Sequence, residues 1–473
     1  MVSVSKRAAV AAVGALLVAC SAMQERQIQA VDSFIQQGAF QDFALELERK
    51  MGFAGKEDLE PVAPVVFMPK YVLEHLEAAE SWRLCGRYER SLAHFDAADA
   101  AVGDIQANVA GQVASQVVGA VATDVAGMYV PNPVEAIMIN YYKALLFLAQ
   151  GKPDLSRVEL NRADDRARRT VERFSKEIEK AQKEADEAFA KEQALGGQKP
   201  QGYDNTLQEQ LAVTSAWKVY RDFVVPPAVY LHALYLAHST VPSDREKAIE
   251  LYERLREITD RHLVVEQDLA DLQKGRICPS NDCVWVMVER GLGPTIDERK
   301  ITLPIPVKDT TVLISIALPE IRNRFEEYAW PCSIEVNGTS DTCLSLAATD
   351  VVVRTELAKR YPGIVTRALV SAFIKGFVQY QLQKEAGLYG ALAGFLISEA
   401  LTAADRRIWR QMPGDVALYR FRRDPNGEPA ILRLVHREIP LPVNDTGGMQ
   451  LIHVKLMHAH HEPHILSIPL TGI

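Results

Sequence analysis

The sequence predicts an α+β protein, with an all-helical array of hairpins in its N-terminal part and a mainly antiparallel β domain with inserted helices behind it. Three observations carry this expectation. Apolar residues recur at helical spacing from about residue 70 to 260, and after about residue 275 the apolar period changes to two. The bulk composition, 48% hydrophobic and 24% charged over 473 residues, is that of a folded chain about three domains long at roughly 150 residues each. Wholesale disorder, a collagen and a polytopic membrane protein are thereby excluded. With 53 basic against 61 acidic side chains the net charge is -8, the wrong sign for a protein that coats nucleic acid, so no nucleic-acid partner is expected.

Taken in order, the chain begins with Lys6 and Arg7 followed by an apolar run from Ala8 to Ala19, too short to span a bilayer comfortably. It reads as a secretion signal over residues 1–19. Leu17-Val18-Ala19-Cys20-Ser21 resembles the lipobox of bacterial lipoproteins, which are cut before the cysteine and acylated on its thiol. That resemblance implies a mature chain starting at Cys20 and a membrane contact made through N-terminal acyl chains, at about 0.8 kcal/mol per buried CH₂. Ser21 is similar to the residue of lipoproteins sorted to the outer membrane, facing the periplasm. A linker and leading helices are expected over 20–69.

Residues 70–274 are expected to form the helical domain. Gly86-x-Tyr88-x-x-Ser91-x-x-x-Phe95-x-x-Ala98 resembles the second half of a tetratricopeptide (TPR) unit, with Trp82 on the preceding helix. The register recurs at Gly151, Pro153, Ser156, Leu160 and Ala163, and again at Ala248, Tyr252 and Leu255. In such a unit a small residue lets two helices cross closely, and the large one four positions on fills the gap made by the neighbour. Two insertions break the array. Ala167, Val171, Phe174, Ile178, Ala181, Ala185 and Ala188 make a coiled-coil-like seam within an arm over 160–222. Gly196-Gly197 and Pro200 are expected to turn the chain, so that Leu207, Leu211 and Trp217 fold back on the seam, either as a projecting arm or as a helix lying on its own domain. In the other insertion, over 103–127, Gly103, Ala107, Gly111, Ser115, Gly119, Thr123 and Gly127 fall at every fourth place within a stretch whose 19 residues between Asp104 and Asp124 are uncharged. Such a groove lets helices pack backbone to backbone. One reading is a membrane-inserting or self-associating helix, which Gln106, Asn108, Gln112 and Gln116 oppose. The preferred reading is internal packing against Ala386, Gly390, Gly394, Ser398 and Thr402, which repeat the same spacing.

Residues 275–473 are expected to form the mixed domain. Val284–Val288, Thr311–Ala317, Ala417–Phe421, Ala430–Val435, Leu451–Leu456 and Ile465–Ile468 read as strands, with Asp424-Pro425-Asn426-Gly427 as a hairpin turn and one helical block over Glu356–Trp409. Cys278 and Cys283 enclose a turn-prone insert, and Cys332 and Cys343 bracket a hairpin tipped by Asn337-Gly338. Four cysteines allow three connectivities; local pairing of each couple as a disulfide is preferred, and the spacing is too wide for the usual four-cysteine zinc site. Cys85 is expected as a small buried residue.

No phosphate-binding loop, nucleophile elbow or zinc-protease pair occurs, so no catalytic residue is assigned, no enzyme activity is expected, and no cofactor is implied. His458, His460, His461 and His464 form the one ligand-rich cluster. On a strand His458 and His460 share a face and offer two imidazoles to a metal; the preferred alternative is an exposed loop before the last strand, since Pro463 follows.

The lipobox, Tyr141-Tyr142-Lys143-Ala144-Leu145, Arg157-Val158-Glu159, Gly291-Leu292-Gly293-Pro294 and Ala404-Asp405-Arg406-Arg407-Ile408-Trp409 with Pro413 together resemble an uncharacterised family of bacterial TPR-containing cell-envelope lipoproteins. The resemblance implies a lipid-anchored periplasmic scaffold or adaptor for a cell-envelope protein and no catalysis. The alternative is a membrane-active or self-assembling lipoprotein using 103–127. Candidate binding residues are Trp82 and Tyr88 in the first unit, with Asp405, Arg406 and Trp409. For the last three the competing reading is structural: a helix end tied by an ion pair, with Trp409 against the strands.

Overall fold

The computed structural model describes residues 26, 28–53, 69–111, 129–194, 203–307, 310–324, 331–400, 405–423, 429–434, 436–445 and 447–471. The signal segment with Cys20, positions 112–127 of the glycine-rich stretch, the 196–200 turn, Thr402 and the 424–427 turn lie outside them, as do the side chains over 385–400.

A helical stretch over 28–37 leads to α1 (Phe40–Met51), which packs on α2 (Val72–Leu84). Three helical hairpins follow: α2 with α3 (Tyr88–Gly111), α4 (Pro133–Ala149) with α5 (Pro153–Ala194), and α7 (Pro226–His238) with α8 (Pro242–Ile258). Between the last two hairpins lies α6 (Tyr203–Ala212), and α9 (Leu263–Gln273) closes the series on α8. The sequence explains the breaks. Gly86 and Gly151 end α2 and α4 in the left-handed region (φ 73° and 67°), where Lys152 N donates back to Phe147 O and Arg87 N to Trp82 O, the wrapped C-terminus that favours glycine. Pro133, Pro153, Pro226 and Pro242 each open a helix, where the missing N–H costs nothing. Asn132 and Glu135 cap α4 reciprocally. The residues of the repeated register, Ser91, Phe95 and Ala98, Ser156, Leu160 and Ala163, and Ala248, Tyr252 and Leu255, are all buried.

The long α5 lies on the body of the protein, and one of its partners comes from the expected mixed domain. Ala167, Phe174, Ala181, Ala185 and Ala188 are buried, whereas Val171 is 49% exposed. The covering element is α10 (Thr349–Ala400): Gly363 sits where a Cβ would stand 3.6 Å from Ala181 Cβ, Arg360 Nε reaches Glu177 at 3.1 Å, and Phe373 meets Phe189. Tyr203 of α6 meets both Phe189 of α5 (5.0 Å between ring centroids) and Phe373 of α10, while Trp217 meets Tyr361 of α10, so the returning segment touches the end of the seam helix and α10 together. The alanine-rich seam meets α10 at Gly363, where the missing side chain lets the two helices approach. Residues 405–409, read as the end of the helical block, are irregular loop.

Eleven strands are described: β1 (Cys283–Arg290), β2 (Thr295–Val307), β3 (Thr310–Arg322), β4 (Ser333–Val336), β5 (Thr339–Thr342), β6 (Leu344–Ala348), β7 (Asp415–Arg422), β8 (Ile431–Leu434), β9 (Arg437–Pro440), β10 (Gln450–Leu456) and β11 (His464–Pro469). The central sheet has the order β11-β10-β1-β7-β6, antiparallel except for the parallel pair β1 and β10. A second sheet, β5-β4-β8-β9, is antiparallel throughout. The ribbon β2-β3 stands apart and lies on α10. Asn337 and Gly338, both at positive φ, make the predicted tight turn between β4 and β5. The turn expected between β7 and β8 does not make a hairpin of them, because β7 belongs to the central sheet and β8 pairs with β4 and β9.

Alternation along β1 sorts its side chains between two cores. Trp285 and Met287 face the helices, while Val284, Val286 and Val288 face the second sheet. The central sheet is therefore buried on both sides. The helix-side core runs without interruption from Val72 to Leu470, so the expected boundary near residue 275 crosses one continuous core.

Candidate functional site

Where the helical layer meets the central sheet, a cluster of charged and polar side chains is sealed from water. Arg83 and Glu80 come from α2, Tyr142 from α4, Glu289 from β1, His453 and Lys455 from β10, and His464 from β11. Lys455 Nζ lies 2.6 Å from Glu80 Oε1 and 3.3 Å from Glu289 Oε2, and donates to the Tyr142 hydroxyl (2.9 Å) and to Gln411 O (2.8 Å). Tyr142 in turn donates to Glu289 Oε2 at 2.8 Å. Arg83 holds Glu80 with two bonds of 2.7 Å and stacks its guanidinium over the Tyr142 ring. His453 Nε2 stands 3.1 Å from Glu289 Oε1.

Two cations balance two carboxylates, which is what burial of charge demands. Burial alone raises the Glu289 carboxyl, but Lys455, His453 and Arg83 overcome it and hold the group well below the usual carboxylate range. Burial pushes His453 down and the Tyr142 hydroxyl far up, so the imidazole and phenol are neutral. Chemically the cluster is a charge-neutral joint between two layers.

The joint reaches the surface at Tyr88. Arg83 Nη1 is 3.3 Å from His464 Nδ1, and His464 Nε2 is 3.3 Å from the hydroxyl of half-buried Tyr88. Tyr88 lines a surface depression with Gly86, Arg87, Glu89, Gln150 and Lys152, where the turns of the first two hairpins lie side by side. Tyr88 is thus both a candidate surface residue and the outer end of the buried cluster.

The remaining sequence candidates fall elsewhere. Trp82 is a core residue, not a surface one: its indole N–H donates to Glu48 Oε1 at 2.8 Å, and Arg90 covers its ring. Glu48 also accepts from Arg90 and His94; burial opposes its charge, but these bonds hold the carboxyl down to about 2. Trp409 is fully buried, with Phe95 and Tyr142 of the helices against its ring, and its backbone N–H donates to Glu135 at 2.6 Å. Asp405 pairs with Arg407, and Arg406 reaches Asp297 of β2 at 3.2 Å, so this segment is an internal tie. Cys85 is half-buried against Trp82.

His458, His460 and His461 cluster in the loop between β10 and β11, with ring centroids 4.6 to 5.2 Å apart, and not on one strand face. His460 and His461 direct Nε2 at Gln36 O, docking the N-terminal stretch, and His464 points away into the joint. Among the described residues the one group of three converging ligand atoms is Cys278, Asp282 and Cys283, whose sulfurs are joined in a disulfide with Cα atoms 6.1 Å apart. That bridge is the expected local one. Cys332 and Cys343 are adjacent as expected, but their thiols are free rather than bridged. No described helix is long and apolar enough to cross a membrane.

Sequence reading missed Glu80, Arg83, Glu289 and Lys455. A signal existed: Glu289 and Lys455 each interrupt an apolar strand on the face shared with Met287 and His453 respectively.

The titrations set a pH dependence. Burial pushes Glu77 up to about 8 and Glu135 up to about 7, from an ordinary 4.5, so stability falls as pH rises above 4.5 through those values. Burial pushes His75 down to about 3, and His232 and His238 to about 4, from 6.5, so stability falls as pH drops below 6.5 through those values. The thermal midpoint is expected to peak between pH 4.5 and 6.5; a midpoint still rising above pH 8 contradicts this assignment.

No family model, no curated protein and no solved structure matches the chain.

Proposed function

We propose that the protein is a non-catalytic scaffold of the bacterial cell envelope, acylated at Cys20 and held on the periplasmic face of the outer membrane, which binds a partner protein through a TPR-like helical array. The lipobox and the thrice-repeated register, whose Ser91, Phe95, Ala98, Ser156, Leu160, Ala163, Ala248, Tyr252 and Leu255 are buried, support this reading. The observation that carries it is the depression between the first two hairpin turns. Arg87 and Lys152 are exposed there, Glu89 stands on the rim, and Tyr88 offers an aromatic body braced from behind by His464. Such a site suits a carboxylate of a peptide segment, with the ring as its platform. Reaction chemistry has no place in the reading, because the titratable cluster behind Tyr88 is already charge-balanced and the Lys455 ammonium is committed to Glu80, Glu289, Tyr142 and Gln411.

The test uses full-length protein in crosslinked envelope. The double variant Arg87→Glu/Lys152→Glu is expected to lose about tenfold or more of the partner recovered by the unaltered chain, as removal of two hot-spot cations of about 1–2 kcal/mol each predicts. Its thermal midpoint should not move, because both side chains are on the surface. Equal recovery by the two proteins, or no reproducible partner with either, defeats the proposal.

A further inference from the structure

We propose that Cys332 and Cys343 form a reversible dithiol–disulfide site, in which Cys332 attacks a small disulfide and Cys343 resolves the product. The two residues flank the β4–β5 hairpin, whose outermost pair is Ser333 and Thr342. They therefore face each other one step beyond the ladder, and Cys343 N donates to Cys332 O at 3.0 Å. Opposed residues of an antiparallel pair have Cα atoms about 4.5–5.5 Å apart, within the range a disulfide spans without moving the backbone. The thiols are free and hydrogen-bond to each other.

Their surroundings are unequal. Arg290 Nη1 lies 3.3 Å from Cys332 Sγ, while Arg290 Nε is anchored on Asp415 Oδ2 at 2.8 Å. Asp415 also accepts from Ser345 Oγ. The hydrogen bond from Cys343 and the fixed guanidinium both favour the thiolate at Cys332, whose thiol is held below its ordinary value; donating that bond and being buried push the Cys343 thiol up. One sulfur is thus prepared to attack and the other to follow. Both are buried, but at the base of a hairpin of two four-residue strands whose β5 is exposed along its length, so opening a short ladder admits a small oxidant.

The reaction balances. Cys332 thiolate attacks one sulfur of the small disulfide, a mixed disulfide forms, and the first small thiolate leaves with the electron pair. Cys343 loses its proton and attacks Cys332 Sγ, and the second small thiolate leaves. Two protein thiols are oxidised to one disulfide, one small disulfide is reduced to two thiols, and the two thiol protons end on these.

Full-length protein is equilibrated in buffers of reduced and oxidised glutathione, quenched in acid, alkylated and mapped by peptide mass. Cys332 and Cys343 are expected to pass together from doubly alkylated to mutually crosslinked across the series. Cys343→Ser should trap glutathione on Cys332, Cys332→Ser should leave Cys343 without an adduct, and Arg290→Gln should slow attack by about tenfold. The Cys343→Ser result stands even where Arg290→Gln perturbs folding through Asp415. Two thiols alkylated throughout the series, a crosslink that no buffer opens, or an adduct on Cys343 instead of Cys332 overturns the assignment.

Discussion

Lys455→Ala is expected to lower the free energy of unfolding by about 3–5 kcal/mol, because it leaves Glu80 and Glu289 sealed from water against the single charge of Arg83. The loss also strips a donor from the Tyr142 hydroxyl and from Gln411 O. Position rather than charge decides the size. Lys50→Ala, which breaks an equally short pair with Glu74 (2.7 Å) at the surface, should cost about 1 kcal/mol or less. Denaturation in urea at constant slope separates the two. Because the penalty is an uncompensated charge, Lys455→Met combined with Glu289→Gln should recover part of it. A Lys455→Ala protein within about 1 kcal/mol of the parent would falsify the joint as described.

Trp409→Ala carries the second large effect, about 3–5 kcal/mol, from loss of a fully buried ring between Phe95 and Tyr142 and the cavity left behind. Trp409→Phe should cost under about 1.5 kcal/mol: it keeps most of the ring contact and removes a buried indole N–H for which no described acceptor is in reach. If Trp409 instead recognised a partner, Trp409→Ala would abolish capture while leaving the denaturation midpoint in place. The burial predicts the reverse, a lowered midpoint with capture intact per folded molecule.

Much of the secondary structure was legible, because short-range chemistry writes it. Gly86 and Gly151 before Tyr88 and Pro153 mark the turns, and Asn337-Gly338 marks its hairpin. The β2 strand was not, since Asp297-Glu298-Arg299-Lys300 and two prolines, Pro304 and Pro306, break its apolar alternation; a two-stranded ribbon with free edges tolerates both. Pairings between distant segments were illegible for a different reason. Nothing local tells β8 to choose β4 over β7, or α5 to choose Gly363 of α10 as its crossing. The site suffered most. Glu80, Glu289 and Lys455 each look like a solvated charge in one dimension, and only the docking of helices on the sheet turns them into one neutral group. Trp82, by contrast, was singled out for its size, and size more often marks a core than a surface.

Glu289 and Arg290 are consecutive on β1, yet one belongs to the helix-side joint and the other to the cysteine pair on the opposite side. The strand works as a partition wall with a different fitting screwed into each side. Inserting or deleting one residue in β1 would turn the wall around: the carboxylate would enter the valine layer and the valines would meet Lys455. Length within this strand is therefore more tightly constrained than the identity of any of its apolar members, which alternatives of similar volume can replace.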